Sequence, residues 1–358
     1  MVTGTQIDRN QIGQGVLMSF SSTSRMYISK ETQICRILNG MWQVSGAHGH
    51  IDPDTAIKSM IQHHDLGFTT WDLADHYGPA EDFIKIFRND LAKARGASSL
   101  DSIQAFTKWV PKPGPMTRSI VEANIDLSVK RMGVPSLDML QFHWWDYQDD
   151  RYLDALQHLV QLRQSGKIRD LSVTNFDTKR LKVMADNNIT ITSNQVQFSL
   201  IDRRPEVEMI KFCNSQEIKL LTYGTLCGGL LTSKFLGAPE PSDPELTTAS
   251  LRKYKQMIDV WGGWPLFQQL LSILNDIAQE KQSSISNIAV KYILDKPQVA
   301  GVILGVRLGQ SSHIDDNANT FDLNLNTEDR NRIESVLGQS QDLYARIGDC
   351  GDEYRNRF

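Results

Sequence analysis

The chain has 358 residues, 40% of them hydrophobic and 22% charged, with a formal net charge of −4 at pH 7. That balance is of a globular protein, leaves no basic footprint for nucleic acid, and no apolar run approaches the ~20 residues that span a bilayer. Cys35, Cys213, Cys227 and Cys350 are far apart and form no CxxC pair, which points to free thiols in a reducing compartment and so to a cytoplasmic protein.

Residues 1–30 read as a flexible arm, with Ser19, Ser21, Ser22, Thr23 and Ser24 grouped among few large apolar residues. Asp8 and weak amphipathicity argue against a transit peptide. Gly13 and Gly15 form a GxG fragment with no strand before it, so it carries no weight as a phosphate loop. Residues 31–338 alternate strand-like and helix-like patterns. The predicted strands are 36–41, 69–73, 103–107, 138–143, 168–173, 191–196, 220–223 and 300–304. The predicted helices are 55–66, 80–93, 117–132, 152–165, 178–186, 205–215, 266–281 and a last one at 327–337. Such alternation argues for parallel βαβ units. The pair His63-His64 reads as a surface feature of the first helix. Residues 227–265, rich in glycine and proline, read as a long loop after the seventh strand, and 339–358 as a tail near the site.

The stretch Phe68-Thr69-Thr70-Trp71-Asp72-Leu73-Ala74-Asp75-His76-Tyr77-Gly78 is a short apolar strand emptying into a loop dense in proton-handling groups. Asp72, Lys108, His143 and Thr174 follow one another at intervals of 36, 35 and 31 residues. A (β/α)8 barrel of about 250 residues spends roughly 31 on each unit, and its active site sits where the strands end. The pattern therefore predicts one (β/α)8 TIM barrel with Asp72, Tyr77, Lys108 and His143 around a single mouth. Taken singly, a strand-end histidine or a loop tyrosine is ordinarily structural; four such residues in barrel order are not. A lysine ammonium lowers a neighbouring phenol's pKa, a carboxylate holds that lysine charged, and a histidine can donate a hydrogen bond to a substrate oxygen. Such a set suits protonation of an alkoxide formed by hydride attack on a carbonyl, with a nicotinamide as the hydride source. No metal-ligand spacing is present.

The run Asp72-Leu73-Ala74-Asp75-His76-Tyr77-Gly78 resembles the signature that opens the active site of aldo-keto reductases, and Thr107-Lys108 and Gln141-Phe142-His143 stand where that family has its lysine and histidine. The resemblance covers about residues 35 to 338. It implies Asp72, Tyr77, Lys108 and His143 as the catalytic tetrad, with Tyr77 as general acid. It also implies that NADPH, or NADH, is held by a series of strand ends. These are Gly40, Met41 and Trp42 after the first strand, Thr174 and Asn175 in Ser172-Val173-Thr174-Asn175-Phe176, and Gln195 in Asn194-Gln195-Val196-Gln197. The family usually has serine where this chain has Thr174, which keeps the hydroxyl. Tyr223 in Leu221-Thr222-Tyr223-Gly224 would stack on the nicotinamide. Gly224, Leu226, Gly229, Leu231 and Lys234 belong to the loop that wraps the pyrophosphate in the family. In Gly305-Val306-Arg307-Leu308-Gly309 and the His313, Asp316 and Asn317 that follow, the resemblance puts Arg307 on a 2′-phosphate and the acid and amide on adenine. Many relatives have a second arginine where this chain has His313, so the choice between NADPH and NADH stays open.

Trp42, His76, Trp109 and Trp144 are expected to line a flat, hydrophobic pocket for a small carbonyl substrate. The activity expected is reduction of an aldehyde or ketone. The alternatives are a sugar or alcohol dehydrogenase run in the opposite direction and a cofactor-binding regulatory subunit with slow turnover.

Overall fold

The computed structural model describes residues 22–46 and 51–355. Eight parallel strands close into a barrel: β1 Ile37–Gly40, β2 Thr70–Asp72, β3 Gln104–Trp109, β4 Leu137–His143, β5 Ile168–Thr174, β6 Ser193–Gln197, β7 Lys219–Tyr223 and β8 Val299–Gly305. Each pairs with the next in sequence, and β8 closes on β1 with Gly305 opposite Gly40. The expected TIM barrel is therefore the fold.

Side chains alternate across each strand, and the two faces have different tasks. Leu38, Phe106, Met139, Leu221, Ala300 and Ile303 point inward and fill the barrel. Trp71, Leu140, Phe142, Val173, Val196, Leu220 and Val302 point outward into the core shared with the helices. That outer layer begins with Pro53–Asp65, where the Asp52 carboxylate accepts the Thr55 amide at 2.9 Å and proline takes the first turn. It closes with Thr327–Leu337, opened by a reciprocal Asn326 and Asp329 capping box.

Three expectations fall differently. Residues Arg25–Tyr27, inside the stretch read as an arm, form a strand antiparallel to Gln33–Cys35; residues 1–21 lie outside the described residues. This hairpin covers the barrel end opposite the site: Ile28 and Ile34 join the interior cluster, and Ser29 and Thr32 donate to Asp170 at 3.1 and 2.5 Å. Second, the long stretch after β7 contains a helix, Ala249–Trp261, capped by Thr248, and Ile285–Leu294 is a further helix with no predicted counterpart. The latter is buried on most sides, so it has no amphipathic stripe to read. Third, His63 and His64 are buried: His63 Nδ1 donates to the Ser59 carbonyl at 2.8 Å and His64 Nε2 pairs with Ser102 at 2.9 Å.

Among the described residues no helix is long and apolar enough to cross a membrane. All four cysteines are buried free thiols. Burial pushes Cys35 up to about 11 and Cys213 and Cys227 up to about 12, far from reactive thiolates.

Candidate active site

Because β2, β3, β4 and β6 run parallel and in register, their inward residues at the C-terminal end converge. Lys108, 3% exposed, reaches from β3 to the β2 carboxylate, with Nζ 2.8 and 2.7 Å from the Asp72 oxygens and 3.1 Å from the Leu73 carbonyl. Asp72 Oδ1 also accepts the side-chain amides of Gln141 at 2.9 Å and Gln195 at 2.7 Å. Gln195 bonds Gln141 Oε1 at 2.7 Å. The lysine is thus clamped by a carboxylate that two further donors hold in place. Burial pulls the Lys108 ammonium down, and Asp72 opposes that pull.

Tyr77, on the loop after β2, is half-buried, and the Lys108 ammonium lies 5.3 Å from its ring centroid. Its phenol is pushed well above its ordinary value by burial first and then by the carboxylate of Asp72. The lowering expected from Lys108 is outweighed here, because burial and the Asp72 carboxylate both act upward. His143 lies at the end of β4 and donates Nδ1–H to the Thr174 carbonyl at 2.9 Å. A carbonyl can only accept, so the neutral ring carries its lone pair at Nε2, which is buried without a partner among the described residues. Burial pulls this imidazole down to about 4, and the neighbouring charges of Arg355, His76 and Lys108 act in the same sense. The four residues expected at one mouth are together there.

The pocket walls differ from expectation at two positions. Trp42 is exposed and meets Tyr77 edge-on at 5.0 Å and His76 at 6.4 Å, so both Trp42 and His76 stand at the mouth. Trp109 and Trp144, 2% and 0% exposed, pack on either side of Phe142 in the outer core, and Trp144 donates to the Asp149 carbonyl. The reason is the strand period: each directly follows an inward residue and so faces outward. Trp145, 44% exposed, is the one beside His143, with ring centroids 4.4 Å apart. Alternation read from His143 would have found Trp145 and Gln141. Tyr354, whose hydroxyl lies 3.0 Å from that of Tyr223 and whose ring meets Trp145 at 6.3 Å, carried no such signal.

Most of the positions expected to hold a dinucleotide lie at or just beyond the C-terminal ends of β1, β5, β6, β7 and β8. Thr174 Oγ1 is buried with no partner among the described residues. Asn175, in the left-handed region at φ 57, accepts the Tyr223 hydroxyl at 2.8 Å through Oδ1. Gly40 and Gly305 leave a close approach: a Cβ would lie 2.8 Å from Ile303 and 2.0 Å from Gln43 respectively. Met41 is buried in the same turn that exposes Trp42. Gly224, at φ +71, lets Tyr254 come within 2.2 Å of where a Cβ would be. Gly229, at φ +102, has open space in that direction, next to half-buried Leu226, buried Leu231 and exposed Lys234. Arg307 and His313 are exposed, and the Arg307 guanidinium has no acidic partner among the described residues. Asp316 is engaged within the fold, accepting Ser284 and Asn287 at 3.1 and 2.9 Å, and Asn317 lies one residue on, in the helix Ile314–Asn319. An orphaned hydroxyl, an open glycine turn and an unpaired guanidinium fit a nicotinamide dinucleotide phosphate. Among the described residues no His, Cys, Asp and Glu cluster could hold a metal.

Comparison with known proteins agrees with this geometry. Residues 36–337 match the model of the Aldo/keto reductase family. The chain is 25% identical over 325 residues to an L-glyceraldehyde 3-phosphate reductase of Escherichia coli O157:H7, covering 84% of this chain and 88% of that protein. It is 23% identical over 287 residues to a chloroplastic pyridoxal reductase of Arabidopsis thaliana, covering 76% and 74%. In fold it is similar to a glycerol dehydrogenase of Gluconobacter oxydans, with TM-score 0.71, 20% identity, and 92% and 97% of the two chains covered. A Klebsiella pneumoniae aldo/keto reductase solved with NADP and acetate gives TM-score 0.67 at 17% identity, covering 89% and 97%. Barrel, strand-end chemistry and family match coincide over the same residues, and the chain belongs to the aldo/keto reductase family of NAD(P)H-dependent oxidoreductases.

Proposed function

We propose that this protein reduces an aldehyde or ketone to the alcohol, with NADPH as cofactor and Tyr77 as general acid. The observation that carries the reading is the buried Lys108–Asp72 pair, at 2.7 and 2.8 Å, set beside a half-buried phenol. The nicotinamide, when bound, supplies the hydride. The residues supply the proton and the orientation. Tyr77 Oη gives its proton to the oxygen as negative charge develops there, and the Lys108 ammonium stabilises the phenolate left behind. Asp72 keeps that ammonium in place. His143 presents Nε2 to the substrate oxygen, accepting from an alcohol hydroxyl or, once protonated, donating to a carbonyl. Trp42, His76 and Trp145 form the aromatic rim. Thr174 and Asn175 would hold the carboxamide, and Arg307 the 2′-phosphate, the feature that favours NADPH over NADH. The four buried thiols suit a reducing compartment, and we place the enzyme in the cytoplasm.

The lone pair at His143 Nε2 favours a second reading, oxidation of an alcohol in the opposite direction, because a hydroxyl is the natural donor to it. Assay of NADPH and NADH oxidation against aromatic aldehydes, pyridoxal, glyceraldehyde and its phosphate, and of NADP reduction against the matching alcohols, tests both. Faster turnover with NADPH on one carbonyl class is the expected result. Tight cofactor binding with no turnover in either direction would contradict an enzyme and favour the regulatory subunit.

A further inference from the structure

At Arg355 the C-terminal segment reaches the two strands that carry His143 and Thr174. Arg355 Nη1 donates to the Asn175 carbonyl at 2.9 Å and Nη2 to the Trp144 carbonyl at 2.5 Å. Those carbonyls belong to the residues that directly follow Thr174 at the end of β5 and His143 at the end of β4. One planar guanidinium therefore bridges the two strand ends where they leave the barrel, beyond the last residue pair of the ladder, His143 opposite Thr174. A guanidinium fork is rigid enough to fix the separation of two acceptors.

The bridge is itself built in. The guanidinium lies 3.7 Å over the Tyr147 ring, and the Tyr147 hydroxyl donates to the same Asn175 carbonyl at 3.0 Å. Gly351 sits at φ +92 so close to Asn175 that a Cβ would fall 2.2 Å from its carbonyl oxygen. Behind it, the buried Arg204 donates to the Asp349 carbonyl and to Glu353, both at 3.0 Å, and Asp349 accepts the Thr178 amide at 2.7 Å. Asn175 sits in the left-handed region, which asparagine adopts more readily than other non-glycine residues and which these contacts fix.

We propose that Arg355 is a positioning residue for the reaction: by tying the Trp144 and Asn175 carbonyls together it fixes His143 against Thr174 and holds Asn175 in its left-handed turn. The Nδ1 bond of His143 to the Thr174 carbonyl spans the same two strand ends, so their separation sets where Nε2 points. The catalytic consequence rests on the function proposed above; the structural one does not. Loss of an orienting contact of this kind costs about 10- to 100-fold in turnover.

The test compares wild type with Arg355→Ala and Gly351→Ala. Hydrogen–deuterium exchange over residues 173–178 is read alongside kcat, KM and melting temperature. Arg355→Ala is expected to lower kcat about 10- to 100-fold, speed exchange across 173–178 and leave exchange in β1 and β8 unchanged. Added methylguanidinium, at concentrations that leave melting unaffected, is expected to restore part of the lost turnover. Gly351→Ala keeps the guanidinium but pushes the segment off Asn175, and should give the same faster exchange. Wild-type exchange in both variants would overturn the clamp, and faster exchange with unchanged kcat would overturn its role in the reaction. If wild type turns over no substrate the functional reading fails, while the exchange result still decides the clamp.

Discussion

At the residue scale, the site is an arrangement of opposed influences on a few proton-bearing groups. Burial pulls Lys108 toward neutrality and the Asp72 carboxylate resists it. Asp72 is the larger of the two carboxylates that keep the lysine charged, with Asp75 acting in the same sense. Replacing Asp72 with asparagine keeps the shape and removes the larger part of the resistance, so Lys108 should lose its proton at lower pH. The alkaline limb of the pH profile of kcat/KM should move to lower pH in Asp72→Asn, and an unmoved limb would refute the dependence. Much of this was legible in the sequence because inward positions recur at fixed spacing: Asp72, Lys108 and His143 were found that way. Trp109 and Trp144 were misplaced by treating nearness in sequence to the mouth as nearness in space. One position along a strand turns a side chain through to the opposite face, which is why Trp145, not Trp144, stands beside His143.

At the scale of elements, strands and amphipathic helices announced themselves, and the elements that did not lack a period. The helix Ile285–Leu294 is apolar on nearly every side, and the hairpin strands Arg25–Tyr27 and Gln33–Cys35 are three residues each. The C-terminal segment is held by long-range contacts that no local pattern encodes. Its anchor is Arg204, 1% exposed, with two bonds of 2.8 Å to Asp202 and one of 3.0 Å to Glu353. Removing one partner of a buried ion pair leaves the others uncompensated, at a cost of about 3–5 kcal/mol. Arg204→Met should lower stability by that order in urea unfolding. A midpoint at the wild-type value would show that the segment is held by its other contacts.

At the scale of the whole molecule, the barrel separates stability from chemistry. One end is sealed by the hairpin and its bonds to Asp170, while the other gathers groups whose burial is costly. His63 and His143 are both pulled below the ordinary histidine value by burial, His143 to about 4. The unfolded chain takes up a proton at these residues near pH ~6.5, before the folded chain does. Stability contributed by their neutral forms is therefore full above that pH and is lost as pH falls below it, for His143 toward about 4. Half-buried Asp138 and buried Asp177, raised by desolvation, act in the opposite sense nearer the carboxylate range. The melting temperature should fall between pH 7 and pH 5, and His63→Phe should reduce that fall; an equal slope in the variant would contradict the assignment.

In the proposed reaction the Tyr77 phenol, beside an ammonium clamped by Asp72, delivers the proton of carbonyl reduction. Turnover by Tyr77→Phe at saturating NADPH, with cofactor affinity measured on the same sample, tests it most directly. A loss of about 10²- to 10⁴-fold in kcat is expected, with NADPH affinity essentially kept. Wild-type turnover in Tyr77→Phe would mean that the proton comes from another group and would contradict the account.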